Sequence, residues 1–146
     1  MDIKLTWVDN KGFTDGEIEV FYGASRTILR QILTTYYGEP KSFRSDEDDY
    51  ADSQIRLRFD SAETLQDIEI MGGQVQHDGL ELFATTFTIL DEAIAVRYKR
   101  EPIWNDMMGW AECLELGLSY ASAFHMGGDE DEDEIEWISG TRGEKL

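Results

Sequence analysis

Between Ile55 and Ile70 the chain alternates apolar and charged residues twice, and one pairing of the two runs satisfies both faces. Ile55, Leu57 and Phe59 alternate with Arg56 and Arg58. After the loop Ser61-Ala62-Glu63-Thr64, Ile68 and Ile70 alternate with Asp67 and Glu69. Strand side chains point to opposite faces in turn, so a slip of one residue would put the apolar set in water. With Leu57 facing Ile68 and Ile55 facing Ile70, Arg58 meets Asp67 and Arg56 meets Glu69. Such pairs contribute roughly 0.2–1 kcal/mol each. An antiparallel hairpin with one core face is predicted, and its two arginines are read as sheet-surface partners rather than substrate binders.

The other elements follow from spacing. Ile3 to Val8 alternates as a strand, and Asp9-Asn10-Lys11-Gly12 is a turn signal. Ile18 to Tyr22 is a second strand. A helix follows, with Ser25 at its N-cap, Ile28, Leu29, Ile32, Leu33 and Tyr36 on one face, and Gly38 and Pro40 at its end. Lys41 to Ser53 is predicted to be a polar loop. Val75 opens a short strand, and His77-Asp78-Gly79 is a turn. A second helix is expected from about Ile89 to Lys99, with Thr88 and Asp91 as a capping pair. The cations Arg97, Lys99 and Arg100 suit its C-terminal dipole. Glu101 to Gly109 is predicted to be a loop. Leu114 to Tyr120 and Ile135 to Ser139 are the last strands, and Gly140 to Leu146 a loose tail.

Two halves of the chain read alike. Ile18-Glu19-Val20-Phe21 matches Leu80-Glu81-Leu82-Phe83, and each precedes a helix. A step of 61 residues carries Ile55, Leu57 and Phe59 to Leu116, Leu118 and Tyr120. The expected fold is α+β: one domain over 1–146, with a repeat at 17–71 and 79–139. Each half would be a strand–helix–strand–strand unit, the units forming antiparallel sheet with helices packed on one face. In the second half the run Asp129-Glu130-Asp131-Glu132-Asp133-Glu134 stands where the first half needs only Asp60 to Thr64. It is therefore an elaboration that the fold does not require.

Charge narrows the partners. Thirty-one acidic residues against thirteen basic ones give a formal net charge of −18. A basic surface would be attracted, and nucleic acid and anionic membrane repelled. With 41% hydrophobic residues the chain is too apolar for a disordered acidic segment. Ile outnumbers Val twelve to four and the acids are bunched, which argues against a salt-adapted surface. No apolar run approaches a membrane span, and the first residues lack a signal-peptide pattern. The single cysteine, Cys113, fits a reducing compartment, so a cytoplasmic location is expected.

The residues carry no catalytic signature. In the acidic run Glu134 stands where a calcium-binding loop needs Gly, and Gly140 where it needs Glu. The cluster Asp46 to Asp49 fails in the same way, so no metal and no cofactor are expected. His77 and His125 share no local motif with Cys113. There is no phosphate loop, no nucleophile elbow and no paired zinc histidines. Trp7 and Trp137 alternate with strand residues and belong in a core. The candidate partner-binding residues are Asp46, Glu47, Asp48, Asp49, Asp129, Glu130, Asp131, Glu132, Asp133 and Glu134. Tyr50 and Trp104 are candidate apolar anchors beside them.

The segment from Ile18 to about Ile138 resembles small bacterial immunity proteins found beside polymorphic toxins. The carriers are Ile55-Arg56-Leu57-Arg58-Phe59-Asp60 with Leu65-Gln66-Asp67-Ile68-Glu69-Ile70, and Leu116-Gly117-Leu118-Ser119-Tyr120 before an acidic loop. The tandem units are also similar in architecture to the β-lactamase inhibitor protein fold, from which no function follows. The immunity resemblance implies a non-catalytic protein that covers a cationic toxin domain, such as a nuclease, with carboxylates. Two other classes fit the charge: a DNA mimic that occupies a DNA-binding protein, and an enzyme using carboxylates in a cleft.

Overall fold

The hairpin has the register that the alternation specifies. Ile55 faces Ile70, Arg56 faces Glu69, Leu57 faces Ile68 and Arg58 faces Asp67, with a bulge before Phe59. The computed structural model describes residues 3–77, 79–83, 86–98, 103–105, 110–113, 118–122 and 135–142. In chain order its elements are β1 (Lys4–Val8), β2 (Gly12–Thr14), β3 (Glu19–Phe21), α1 (Arg26–Tyr37), β4 (Glu47–Tyr50), β5 (Ile55–Phe59), β6 (Leu65–Ile70), β7 (Gln74–His77), β8 (Leu80–Glu81), α2 (Phe87–Tyr98), β9 (Ile103–Asn105), β10 (Trp110–Cys113), β11 (Leu118–Ser122) and β12 (Ile135–Thr141). The fold is α+β and rich in sheet.

The described strands form two sheets, ordered β3-β2-β1-β7-β8 and β4-β5-β6-β12-β11-β10-β9. β1 and β7 pair in parallel, and the other described pairings are antiparallel. Both sheets and both helices feed one buried apolar cluster. It takes Leu5, Trp7, Phe13 and Val20 from the small sheet and Leu29 and Leu33 from α1. Ile55, Leu57, Ile68, Tyr120 and Ile138 come from the large sheet, and Leu90 from α2. Trp137, expected in the core, is half-buried.

α1 and α2 are each twelve residues long and start 61 residues apart, at positions 26 and 87. The caps keep the same step. Ser25 Oγ accepts from the Ile28 N–H at 3.5 Å, and Thr86 Oγ1 from the Ile89 N–H at 3.3 Å. The second cap is therefore Thr86; Thr88, expected in that role, already lies within the helix. β4 and β5 recur as β10 and β11 at a step of 63 (47 to 110, 55 to 118). Ile55, Leu57 and Phe59 thus lie level with Leu118, Tyr120 and Ser122, two residues beyond the expected match. The stretch between α2 and β10 is longer by those two residues and contains β9. An even offset leaves the facing of each side chain unchanged.

β12 lies against β6, with Glu69 opposite Ser139 and Ile70 opposite Ile138. It runs through Thr141, so Gly140 and Thr141, expected in a loose tail, are paired strand. The stretch expected as a loop from Glu101 contains β9, which pairs with β10.

Candidate functional site

The first acidic cluster is not a loop facing solvent. Glu47, Asp48, Asp49 and Tyr50 form β4, paired with β5, and they are 2%, 0%, 3% and 2% exposed. Strand side chains alternate, so the register divides these residues between two faces. Asp48 and Tyr50 lie level with Leu57 and Ile55; Glu47 and Asp49 lie level with Arg58 and Arg56. Arginines meet the carboxylates on each face. Only Asp46, just before the strand, faces solvent.

Asp48 is gripped by two guanidinium forks from α1. Arg26 donates from Nε and Nη2 at 3.2 and 2.8 Å, and Arg30 from Nε and Nη2 at 2.8 and 2.7 Å. The Ser42 hydroxyl adds a third donor at 2.9 Å. Paired forks of this kind are among the stronger charge-assisted hydrogen bonds. Burial opposes ionisation of Asp48, but the bonds from Arg30, Arg26 and Ser42 outweigh it and hold the carboxyl well below its usual range. Arg26 also donates to the Ser45 carbonyl and to Glu63, and its guanidinium lies 5.0 Å over the Phe59 ring.

The opposite face carries a second lattice. Arg56 meets Asp49 at 3.1 Å, Glu47 at 3.2 Å and Glu69 at 3.5 Å. Arg58 meets Glu69 at 2.6 Å and Glu47 at 3.3 Å. The expected Arg56–Glu69 pair is present. Arg58, level with Asp67 along the backbone, reaches Glu69 and Glu47 instead. Together the two lattices contain four arginines and five carboxylates, a balance of −1. Nearly all of the −18 therefore falls on the rest of the chain.

The remaining candidates are spread. Asp129, Glu130, Asp131, Glu132, Asp133 and Glu134 lie outside the described residues, between β11 and β12. Trp104 is the middle residue of β9, opposite Ala111. Tyr50 sits in the core with its hydroxyl buried and unpartnered, which removes it as an anchor for a partner. His77, in β7, is buried with Nε2 against Asp9, and its Nδ1 has no partner. His125 is outside the described residues. Among the described residues no cluster of His, Cys, Asp and Glu has the makings of a metal site. No described helix is long and apolar enough to cross a membrane.

A different concave surface lies between the edge strand β3 and helix α1. This groove, about 710 Å³, is lined by Glu17, Ile18 and Glu19 on one side and by Gln31, Ile32, Thr35 and Tyr36 on the other. α1 buries Arg26, Leu29 and Leu33. Of the rest of its expected apolar face, Ile28 is 55% and Tyr36 41% exposed, while Ile32 is half-buried against the core. Asp15 fixes the acidic wall. Its Oδ1 accepts from the N–H groups of Glu17 and Ile18, both at 2.9 Å, in a turn that feeds β3. Tyr36 reaches across to donate to Glu17 at 3.0 Å, and that bond pushes its phenol up. The missed signal was the width of the α1 pattern. Leu29 and Leu33 fill the buried seam with Ile32 at its margin, so Ile28 and Tyr36 are left exposed.

Comparison with family models, with curated proteins and with solved structures returns no match.

Proposed function

We propose that this chain is a non-catalytic binding protein for a basic protein partner. The supporting observation is the β3–α1 groove, which combines the exposed Tyr36 and half-buried Ile32 with a carboxylate wall on a chain of net charge −18. Complementary charge speeds association and selects the partner, while buried apolar contacts slow release. The run Asp129 to Glu134 adds six carboxylates between β11 and β12. The buried cluster Glu47 to Asp49 is left out of the site because arginines of the same chain already satisfy it. Among basic partners, a cationic toxin domain neutralised by its immunity protein fits the charge and the resemblance of the hairpin and of Leu116 to Tyr120.

The same reading places both helices on one face of the seven-stranded sheet, one per strand–helix–strand–strand unit. Arg26 of α1 meets Asp48, which shares a face with Leu57 by register, and this supports the placement for α1.

The test is capture of partners from the native host, salt elution, and titration of the purified partner at rising ionic strength. Affinity should fall steeply with salt, and charge reversal at Glu17, Glu19, Asp129, Asp131 and Asp133 should weaken it further. A partner whose affinity ignores both salt and these substitutions overturns the reading.

A further inference from the structure

Among the described residues β3 is an edge strand, bonded to β2 on one side only. An open edge presents unpaired backbone N–H and C=O groups, and proteins usually blunt such edges with charge, brevity or cover. β3 is short and carries Glu19, which lines the groove with α1 across from it; the neighbouring Phe21 carbonyl already accepts from the Ala24 N–H, and the Ile18 carbonyl from Thr14. The groove therefore offers three things to one ligand: the outward backbone groups of Glu19, apolar contact with Ile32 and Tyr36, and the exposed carboxylates of Glu17 and Glu19.

We infer that the groove takes an extended, basic segment of the partner as an added strand on β3. The inference rests on the binding reading above and specifies its mode. A helix would satisfy its own backbone and gain nothing from the strand edge. An extended segment satisfies its backbone on β3 and sends alternate side chains to opposite sides. One set would lie on Ile32 and Tyr36, and the other would carry lysine or arginine toward Glu17 and Glu19. The segment that fits best alternates basic and β-branched residues. The wall is rigid enough for this use. The Asp15 turn holds the entry to β3, and Thr14 Oγ1 donates to the Ile18 carbonyl at 2.6 Å.

The probe is an end-capped peptide of alternating lysine and valine, about eight residues long, the length of an ordinary strand. Its control has the same sequence with alternate backbone nitrogens methylated, which keeps charge and side chains but removes edge donors. Calorimetric titration at low salt should show the probe binding at least about ten-fold tighter than the control, the worth of one or two backbone hydrogen bonds. Hydrogen exchange should slow across residues 17–21 with the probe and not with the control. The variant carrying Glu17→Gln and Glu19→Gln, both at exposed positions, should bind the probe weakly. Equal binding of probe and control overturns strand addition and leaves the acidic binding reading standing. Binding of neither peptide, with the native partner still held through salt-sensitive contacts, also overturns it. A native partner indifferent to salt overturns the reading beneath it.

Discussion

Asp48 shows what a buried carboxylate does in an acidic chain. It is fully buried between two arginines, one of them almost buried as well. Removing one member of such a group strands the others, at a typical cost of about 3–5 kcal/mol. Asp48→Asn should therefore destabilise the protein by about 3 kcal/mol at neutral pH, read as a shift in urea midpoint. The pH dependence has a definite sign. In the unfolded chain Asp48 titrates near 3.8, and in the folded protein well below that. Above 3.8 both states are ionised and the full contribution is present. As the pH falls below 3.8 the unfolded chain takes up the proton first, and the contribution drains away toward the folded pKa. The gap between wild type and Asp48→Asn should be wide at pH 7 and should narrow below pH 3.8. A gap independent of pH would show that the arginine forks do not act through charge.

At the scale of elements, legibility followed the clarity of the period. The β5–β6 hairpin was readable because its two faces alternate in opposite chemistry, leaving one register. α1 was readable from its Ser25 cap and apolar spacing, and α2 from its spacing, although its cap is Thr86 rather than Thr88. β4 was not, because Glu47-Asp48-Asp49-Tyr50 has no apolar alternation and resembles a solvated loop. Its strand character comes from partners outside the segment: Arg56 and Arg58 on one face, Arg26 and Arg30 on the other. A trace was present, since Glu47 and Asp49 stand two apart as Arg56 and Arg58 do. β9 and β10 were hidden for a different reason, lying in a stretch where no period repeats long enough to be read. The groove is legible only in part: Ile32 belongs to the apolar face of α1 as its spacing implies, while Tyr36 on the same pattern is exposed, and Glu17, Gln31 and Thr35 carry no signal of their own.

One glycine links strand packing to the groove. Gly12 has φ of +136°, and a β-carbon there would lie 2.1 Å from the Val20 carbonyl oxygen, on the strand that forms the groove wall. Backbone cannot move aside as a side chain can. Gly12→Ala should cost about 2 kcal/mol or more through strain and clash. It should also speed hydrogen exchange in β3 before it does so in β5 and β6. Uniform loss of protection across both sheets would contradict this local role.

For the whole molecule, charge and fold pull against each other. The arginine lattices set four cations against five carboxylates, so the repulsion of the net −18 is carried by the rest of the chain, where most of the described carboxylates are exposed. Salt screens such repulsion, with a Debye length falling from about 10 Å at 0.1 M to about 3 Å at 1 M. Buried pairs such as Asp48 with Arg26 are screened much less. Melting temperature should therefore rise by about 5 °C or more between low salt and 1 M sodium chloride. A fall with salt would mean that exposed ion pairs, rather than like-charge repulsion, dominate the surface.

β12 follows every other described strand in the chain, yet it lies inside the seven-stranded sheet, between β6 and β11. During synthesis the β4-β5-β6 hairpins can form early, but the inner edge of β6 stays bare until residues 135–141 have left the ribosome. The last of the described strands thus joins β4-β5-β6 to β11-β10-β9. A nascent chain halted before Ile135 would carry the Ile68–Ile70 edge open to any other strand, so the interval before β12 arrives is when this protein is most exposed to pairing with the wrong neighbour.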